Sequence, residues 1–371
     1  MPYERFEIKL AGDETSGFYS EVLHAPGLRR TDHAALALSD KEIRAWRQAM
    51  AQGSFSAEAT LRLGRHLFEA LFSGHILRLW ESSLGAIGFD GGLRVRLDIR
   101  SSALSAIPWE LMHDGYTYLA QTVATPVVRC LSNHRRPRHS DGNSTPAVLV
   151  VTATPSNAPR LPNVDAEVNA ILNNLCSMKV ACELLPHATR NSLQAKLREA
   201  NYDIIHYIGH GVFDGHQGHL VLEDQAGRSD RFDSASLGRF LADTNVGLLF
   251  LNCCETAVPS PAETSQGAAE ASLVVGIPTV VAMSAAVRDD VATEFAKQFY
   301  EVLLEQHSVE YCMAEARKAI AHYHAPYWAI PVLFTNTSDE APRKSHKAIP
   351  QITIEQHGKT NIVGNNVNYR G

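Results

Sequence analysis

From residue 147 to residue 334, short apolar runs rich in β-branched residues alternate with stretches of helical periodicity. That alternation constrains the fold more than any other feature of the chain. Residues 147–153 are a continuous apolar run, as a strand covered on both faces requires. The pattern then predicts a helix over 165–178, a strand over 180–185 and a helix over 190–200. A strand leading to His210, a hairpin-like segment at 218–224 and a helix from about Ser234 come next. After a strand leading to Cys254, a helix is expected near 267–275 and a strand over 279–286. Two helices, 289–306 and 309–322, precede a last strand at 329–334, and Asp289 is expected to cap the first of them. Such an order specifies an α/β fold, a mainly parallel sheet with helices on both faces.

The residues before this block are patterned differently. Ser39-Asp-Lys-Glu42 has the form of a capping box opening a helix through Trp46 and Met50. A longer helical stretch follows from about Ser56, with Leu63, Leu67, Leu71 and Ile76 among its apolar positions. Leu93, Val95, Leu97 and Ile99 alternate with Arg94, Arg96, Asp98 and Arg100, which predicts a half-buried strand with a polar outer face. Residues 108–112 suit a short helical turn and 125–130 another strand. The basic, turn-rich stretch 134–146 marks a linker. The expected division is therefore an N-terminal region (1–133), a linker (134–146), an α/β domain (147–338) and a tail (339–371). Within the tail, 351–355 alternates as a strand does, so the tail is either a frayed terminus or a strand that adds to a partner's sheet edge.

Composition narrows the function classes. With 45% hydrophobic and 20% charged residues the chain is an ordinary globular protein. Its net charge of −6 argues against a general nucleic-acid binder, which needs a basic surface. No apolar run has the length of a membrane span, and the first residues lack the apolar core of a signal peptide. Six cysteines are too sparse for a disulfide framework, so a reducing cytoplasm is the expected compartment.

Two segments carry the chemistry. Tyr202-Asp-Ile-Ile-His-Tyr-Ile-Gly-His-Gly211 and Val246-Gly-Leu-Leu-Phe-Leu-Asn-Cys-Cys-Glu-Thr256 are strand-like runs that end abruptly in reactive residues. Ligands bind beyond the carboxyl ends of parallel strands. Two neighbouring strands ending in this way set an imidazole beside a thiol. A thiol attacks a carbonyl as thiolate and needs a base, for which His210 is the candidate; the same imidazole can protonate the leaving amine. Gly211 and Cys254 could offer backbone N–H groups to the developing oxyanion. Taken singly, a histidine is more often a satisfied core or turn residue and a cysteine a buried apolar filler. That is the expectation for Cys130, Cys176, Cys182 and Cys312, while His206, four residues before His210, is expected to pack beside it on the same face.

His206, His210, His216, His219, Cys253 and Cys254 are also potential metal ligands, but their spacing matches no common zinc pattern. Residues 154–159, Thr-Pro-Ser-Asn-Ala-Pro, put prolines where a phosphate loop needs glycines and free N–H groups. No metal and no other cofactor is expected.

His206-Tyr-Ile-Gly-His-Gly211 and Leu251-Asn-Cys-Cys-Glu-Thr-Ala257 resemble the two signature segments of the CHAT family of caspase-like proteins. Ile107-Pro-Trp-Glu-Leu111, Thr125-Pro-Val-Val-Arg129, Gly276-Ile-Pro-Thr-Val-Val-Ala282 and residues 326–333 extend the likeness in order. The resemblance implies a caspase-like three-layer fold preceded by a degenerate, protease-like N-terminal region. It puts the histidine of the dyad on His210 and the nucleophile on Cys254. The separation of the two is near the about 50 residues found in caspases. A small residue usually precedes that nucleophile, and here it is Cys253, so the two thiols compete for the role. By the same analogy the strand edge at Met283, Ser284 and Ala285 borders the primary specificity pocket. Asp165 and Glu167 either face a basic substrate residue there or stabilise the N-terminus of their own helix.

The resemblance thus implies a cytoplasmic cysteine endopeptidase of a prokaryotic stress, antiviral-defence or cell-death pathway. A protein substrate encoded nearby and activation by a partner or by processing are expected, with cleavage near 135–138, 258–266 or the tail junction. The partner would dock through residues 351–371, and neither nucleic acid nor membrane is a direct partner. The rival readings are a non-catalytic scaffold that signals through its tail and a cysteine hydrolase acting on something other than a peptide.

Overall fold

The structure, a computed structural model, describes residues 2–13, 15–28, 31–38, 41, 45–46, 56–88, 91–130, 146–161, 164–213, 218–242, 244–253, 277–285, 287–323 and 327–336. Cys254, His216, the helix expected at 267–275, most of the helix expected at 39–50, nearly all of the linker and the whole tail lie outside these residues.

Strands β1 (Tyr3–Asp13), β2 (Gly17–His24) and β3 (Asp32–Ala35) lead into helices α1 (Ala57–Leu71) and α2 (Gly74–Ala86), then β4 (Gly92–Ile99) and β5 (Val127–Cys130). Next come β6 (Val148–Thr152), α3 (Val164–Ser177), β7 (Cys182–Leu185), α4 (Arg190–Glu199) and β8 (Ile204–Gly209). A small sheet of β9 (Gly211–Phe213), β10 (Gly218–Glu223) and β11 (Ser229–Asp233) precedes α5 (Ser234–Leu241) and β12 (Leu248–Cys253). The last described elements are β13 (Thr279–Met283), α6 (Asp289–Leu304), α7 (Val309–Ile320) and β14 (Pro331–Thr335).

Eleven of these strands pair in one sheet, in the order β3-β2-β1-β4-β5-β14-β13-β12-β8-β6-β7. Strands β13, β12, β8, β6 and β7 are mutually parallel, and β14 is antiparallel to β13. Continuity between the halves comes from β14 lying parallel to β5, with Phe334 opposite Arg129. Alternation sorts the central strands onto two cores. Val150, Ile204 and Phe250 face the layer that holds Leu172 of α3 and Phe299 of α6. Val151, Tyr207 and Leu249 face Leu193 of α4, Leu237 of α5 and Leu220 of the small sheet. Both faces are covered, which is why these strands are apolar at consecutive positions.

Local signals set the helix ends. Ser56 and Asp233 accept the amides of Ala59 and Ser236 at 3.1 and 2.8 Å, capping α1 and α5. The stretch expected as one helix from Ser56 onward is two, because Gly74 adopts φ +53 and breaks the run after Phe72. Helix α6 starts with Arg288 at its N-cap position and Asp289 as its first residue, so Asp289 does not occupy the cap.

Strand β4 departs most from its sequence pattern. It is buried on both faces, with Arg94, Arg96 and Asp98 at 3%, 4% and 1% exposure, where a solvated polar face was expected. Each charge has a partner: Arg94 pairs with Glu310 of α7 at 2.8 Å, Arg96 with Glu7 of β1 at 3.0 Å and Asp98 with Arg100 at 2.7 Å. For Arg94 and Arg96 the neutralising residue is distant in sequence, so no local periodicity reports their burial.

The two upstream motifs meet in the same way. Glu110, on the short helical turn Trp109–Leu111, forms a two-pronged pair with Arg129 of β5 at 3.1 and 2.8 Å. Arg129 also donates to the carbonyls of Ser105 and Ile107. Arg317 of α7, fully buried, ties the carbonyl of Ala120 to that of Pro331 at the start of β14; burial lowers its pKa to about 10.

Candidate active site

Because β13, β12, β8 and β6 are parallel, their carboxyl ends share one edge of the sheet. In the register of β12 against β8, Asn252 lies opposite Ile208 and Cys253 opposite Gly209. Leu251 lies opposite Ala282 of β13, which brings the Ser284 end of that strand to the same edge. Helix α3 follows β6 there, carrying Asp165 and Glu167 in its first turn. His210, Ser284, Asp165 and Glu167 thus lie along one edge of the sheet. Cys254 and the side chain of Cys253 lie outside the described residues.

His210 is buried, and its Nε2 lies 2.8 Å from the carbonyl oxygen of Pro159. A carbonyl only accepts, so Nε2 carries the hydrogen, and in the neutral ring Nδ1 keeps the free lone pair. The backbone of His210 is held equally firmly. Its carbonyl accepts from the Val221 amide at 3.0 Å and lies 3.0 Å from the Tyr207 hydroxyl, which is also 2.8 Å from the Val221 carbonyl. The Tyr207 ring reaches this position by passing Gly209. A Cβ at Gly209 would lie 2.3 Å from the Tyr207 hydroxyl and 2.6 Å from Cζ. The spacing Tyr-x-Gly-His is therefore a steric requirement of the histidine's own support. Gly211 then starts β9, opposite Leu220.

The two acids of α3 part company. Asp165 is exposed, whereas Glu167 is buried and accepts a hydrogen bond from the Asn252 amide nitrogen. Both favour the N-terminus of their helix by charge. Ser284 is half-buried, with its amide and hydroxyl each 2.9 Å from the Ile330 carbonyl, so its side chain braces β13 on β14.

His206, expected to pack beside His210, is fully buried against Phe250 and Tyr300. Its ring stacks on Phe250 with centroids 4.4 Å apart, and Nδ1 lies 2.9 Å from the Tyr300 hydroxyl. Desolvation lowers its pKa to about 3, which keeps the ring neutral. Burial pushes Cys130 and Cys182 up to about 12, and Cys182 lies 3.8 Å from Cys176. Such thiols are poor nucleophiles. Among the described residues no group of three or more His, Cys, Asp or Glu is placed to hold a metal. No helix among them is long and apolar enough to cross a membrane.

Sequence reasoning missed Pro159, Tyr207 and Asn252. The Tyr-x-Gly spacing carried a signal for Tyr207, and the polar residue at the end of an apolar run carried one for Asn252. Nothing in the sequence marks a backbone carbonyl for use.

Residues 61–336 match the CHAT domain. The chain belongs to the CHAT-domain family. No curated protein sequence matches it. Among solved structures it is similar to the separase of the Saccharomyces cerevisiae separase–securin complex, with a TM-score of 0.55 and 12% identity. The likeness covers 89% of this chain but 30% of that one, so this CHAT protein spans less than a third of the separase chain's length. It is also similar to the Arg-specific cysteine proteinase gingipain R, with a TM-score of 0.46 and 12% identity over 80% of this chain and 73% of that one. The CHAT protein has a mixed α/β fold of the caspase-like kind, with a large, mostly parallel sheet.

Proposed function

We propose that this CHAT protein is a cysteine endopeptidase in which Cys254 is the nucleophile and His210 the proton shuttle. The observation that carries this reading is the register of β12 on β8. The pairing ends with Cys253 opposite Gly209, and the residues next in sequence are Cys254 and His210. The Pro159 carbonyl supports it by occupying Nε2 and leaving Nδ1 as the basic atom. In the reaction Nδ1 takes the thiol proton as sulfur attacks the peptide carbonyl, then gives it to the leaving amine. The N–H groups of Gly211 and Cys254 hold the oxyanion, and water cleaves the resulting thioester. Asp165 is the acid open to a basic substrate side chain, while Glu167 supports Asn252 two residues before the nucleophile. Restraint until a partner or processing event activates the enzyme, a role in prokaryotic defence and a protein target encoded nearby are parts of the same proposal. They come from the family alone.

The test is labelling with a promiscuous thiol-reactive peptide probe and mapping of the modified residue. Wild type, Cys254→Ala, Cys253→Ala and His210→Ala are compared. Labelling is expected at Cys254, lost in His210→Ala and retained in Cys253→Ala. Modification of Cys253 instead would overturn the assignment of the nucleophile. Labelling that stays absent even with the neighbouring gene products present would favour the scaffold.

A further inference from the structure

Glu223, the last residue of β10, is buried at 5% exposure and belongs to no part of the mechanism above. Burying a carboxylate is costly unless its oxygens are used. Here Oε1 accepts the Thr154 amide at 2.8 Å, and the two oxygens lie 3.0 and 3.2 Å from Nδ1 of His187. The Glu223 amide in turn donates to the Ala188 carbonyl at 2.8 Å.

Thr154 opens the segment that carries Pro159. Further along, the amide and hydroxyl of Ser156 each lie 2.9 Å from the Gly227 carbonyl. Asn157 Oδ1 accepts from the amide and hydroxyl of Ser229 at 2.7 and 2.9 Å. The segment is thus held to one hairpin, β10 and β11, at Thr154, Ser156 and Asn157, just ahead of Pro159. That hairpin also grips the His210 carbonyl through the Val221 amide. Both the ring and the backbone of His210 are therefore referred to the same two strands.

We propose that Glu223 is a positioning residue for His210: by fixing Thr154 it fixes the Pro159 carbonyl, which keeps the hydrogen on Nε2 and leaves Nδ1 as the base. The proposal rests on the reading of His210 as the proton shuttle. Asn157 is a further anchor of the same strap and has a smaller part, since its partner Ser229 lies next to the hairpin turn.

The experiment uses the full chain with ¹⁵N-labelled histidine, the His210 signals being assigned by their loss in His210→Gln. Three quantities are compared in wild type, Glu223→Ala, Glu223→Gln and Asn157→Ala. They are the ring-nitrogen shifts of His210, the rate of probe labelling at Cys254 and the unfolding midpoint. Glu223→Ala is expected to move the neutral ring toward the Nδ1–H form and to slow labelling at least about tenfold, as a small misplacement of a reacting group does. Glu223→Gln keeps a carbonyl oxygen for the Thr154 amide and is expected to recover most of that loss. Asn157→Ala is expected to shift both readouts in the same direction by less. Ring shifts and labelling that stay at wild-type values in Glu223→Ala, whatever the midpoint does, would overturn the proposal. Should Glu223→Ala fail to fold, unchanged readouts in Asn157→Ala would overturn it equally. Should wild-type labelling prove independent of His210, the catalytic reading fails separately, and the ring-nitrogen shifts alone decide on the strap.

Discussion

In the half of the sheet built by β1, β4 and β5, charged side chains sit in the middle of strands and are closed off by partners on other elements. In the half built by β13, β12, β8 and β6, strand middles are apolar and polar groups collect at the carboxyl ends. The exception in that second half, His206, is held neutral. A buried guanidinium held between a carboxylate and backbone carbonyls, as Arg129 is, locks one arrangement. At a strand end His210 commits Nε2 to the Pro159 carbonyl, so the lone pair of the neutral ring lies on Nδ1. The first half is built as a clamp that joins β5, α7 and β14, and the second as a platform that presents polar groups along one edge.

Three substitutions test that contrast. The largest effect is expected from Glu110→Ala, which strands Arg129 in the interior of the clamp. A loss of about 3–5 kcal/mol in denaturant unfolding should result, typical of a broken buried pair. The intact fraction should keep the ring-nitrogen shifts of His210. Altered His210 shifts in folded Glu110→Ala would break the division between clamp and platform.

A smaller loss of stability, up to about 3 kcal/mol from overpacking, is expected for Gly209→Ala. Its Cβ collides with Tyr207, so the damage should fall on the platform. Probe labelling at Cys254 should drop further than the loss of folded protein explains, as measured at a denaturant-free temperature well below the midpoint. Proportional losses would mean that Tyr207 supports the fold but not His210.

Smallest over any one pH unit, the last effect concerns His206 and accumulates as the pH falls. The folded protein keeps this ring neutral down to about pH 3, whereas the unfolded chain takes up a proton below about pH 6.5. Stability contributed by the neutral ring is therefore complete above pH 6.5 and is lost between pH 6.5 and 3. The slope is about 1.4 kcal/mol per pH unit, because the unfolded state binds the extra proton. Unfolding of His206→Phe across pH 7 to 4 should have a slope shallower by that amount. Equal slopes would show that the ring is charged in the folded protein.

Sequence periodicity was enough for the central strands, for α3 to α7 and for the parallel edge on which His210, Ser284, Asp165 and Glu167 lie. Each depends on apolar spacing within a few residues and on the short connections that spacing implies. Burial of β4 was out of its reach, since Arg94 is neutralised by Glu310 and Arg96 by Glu7, residues far away along the chain. The same holds at the site. Helical spacing puts Asp165 and Glu167 on different faces, but that Glu167 meets Asn252 is decided only by the approach of β12. The Pro159 carbonyl that selects the basic nitrogen of His210 is a backbone atom, present at every residue. Its use follows from the strap between residues 154–161 and the β10–β11 hairpin. Local pattern determines which faces are apolar and where strands end. Which polar atoms meet at those ends is decided by contacts between distant segments, because a hydrogen bond or ion pair is specified by position in space and not by spacing along the chain.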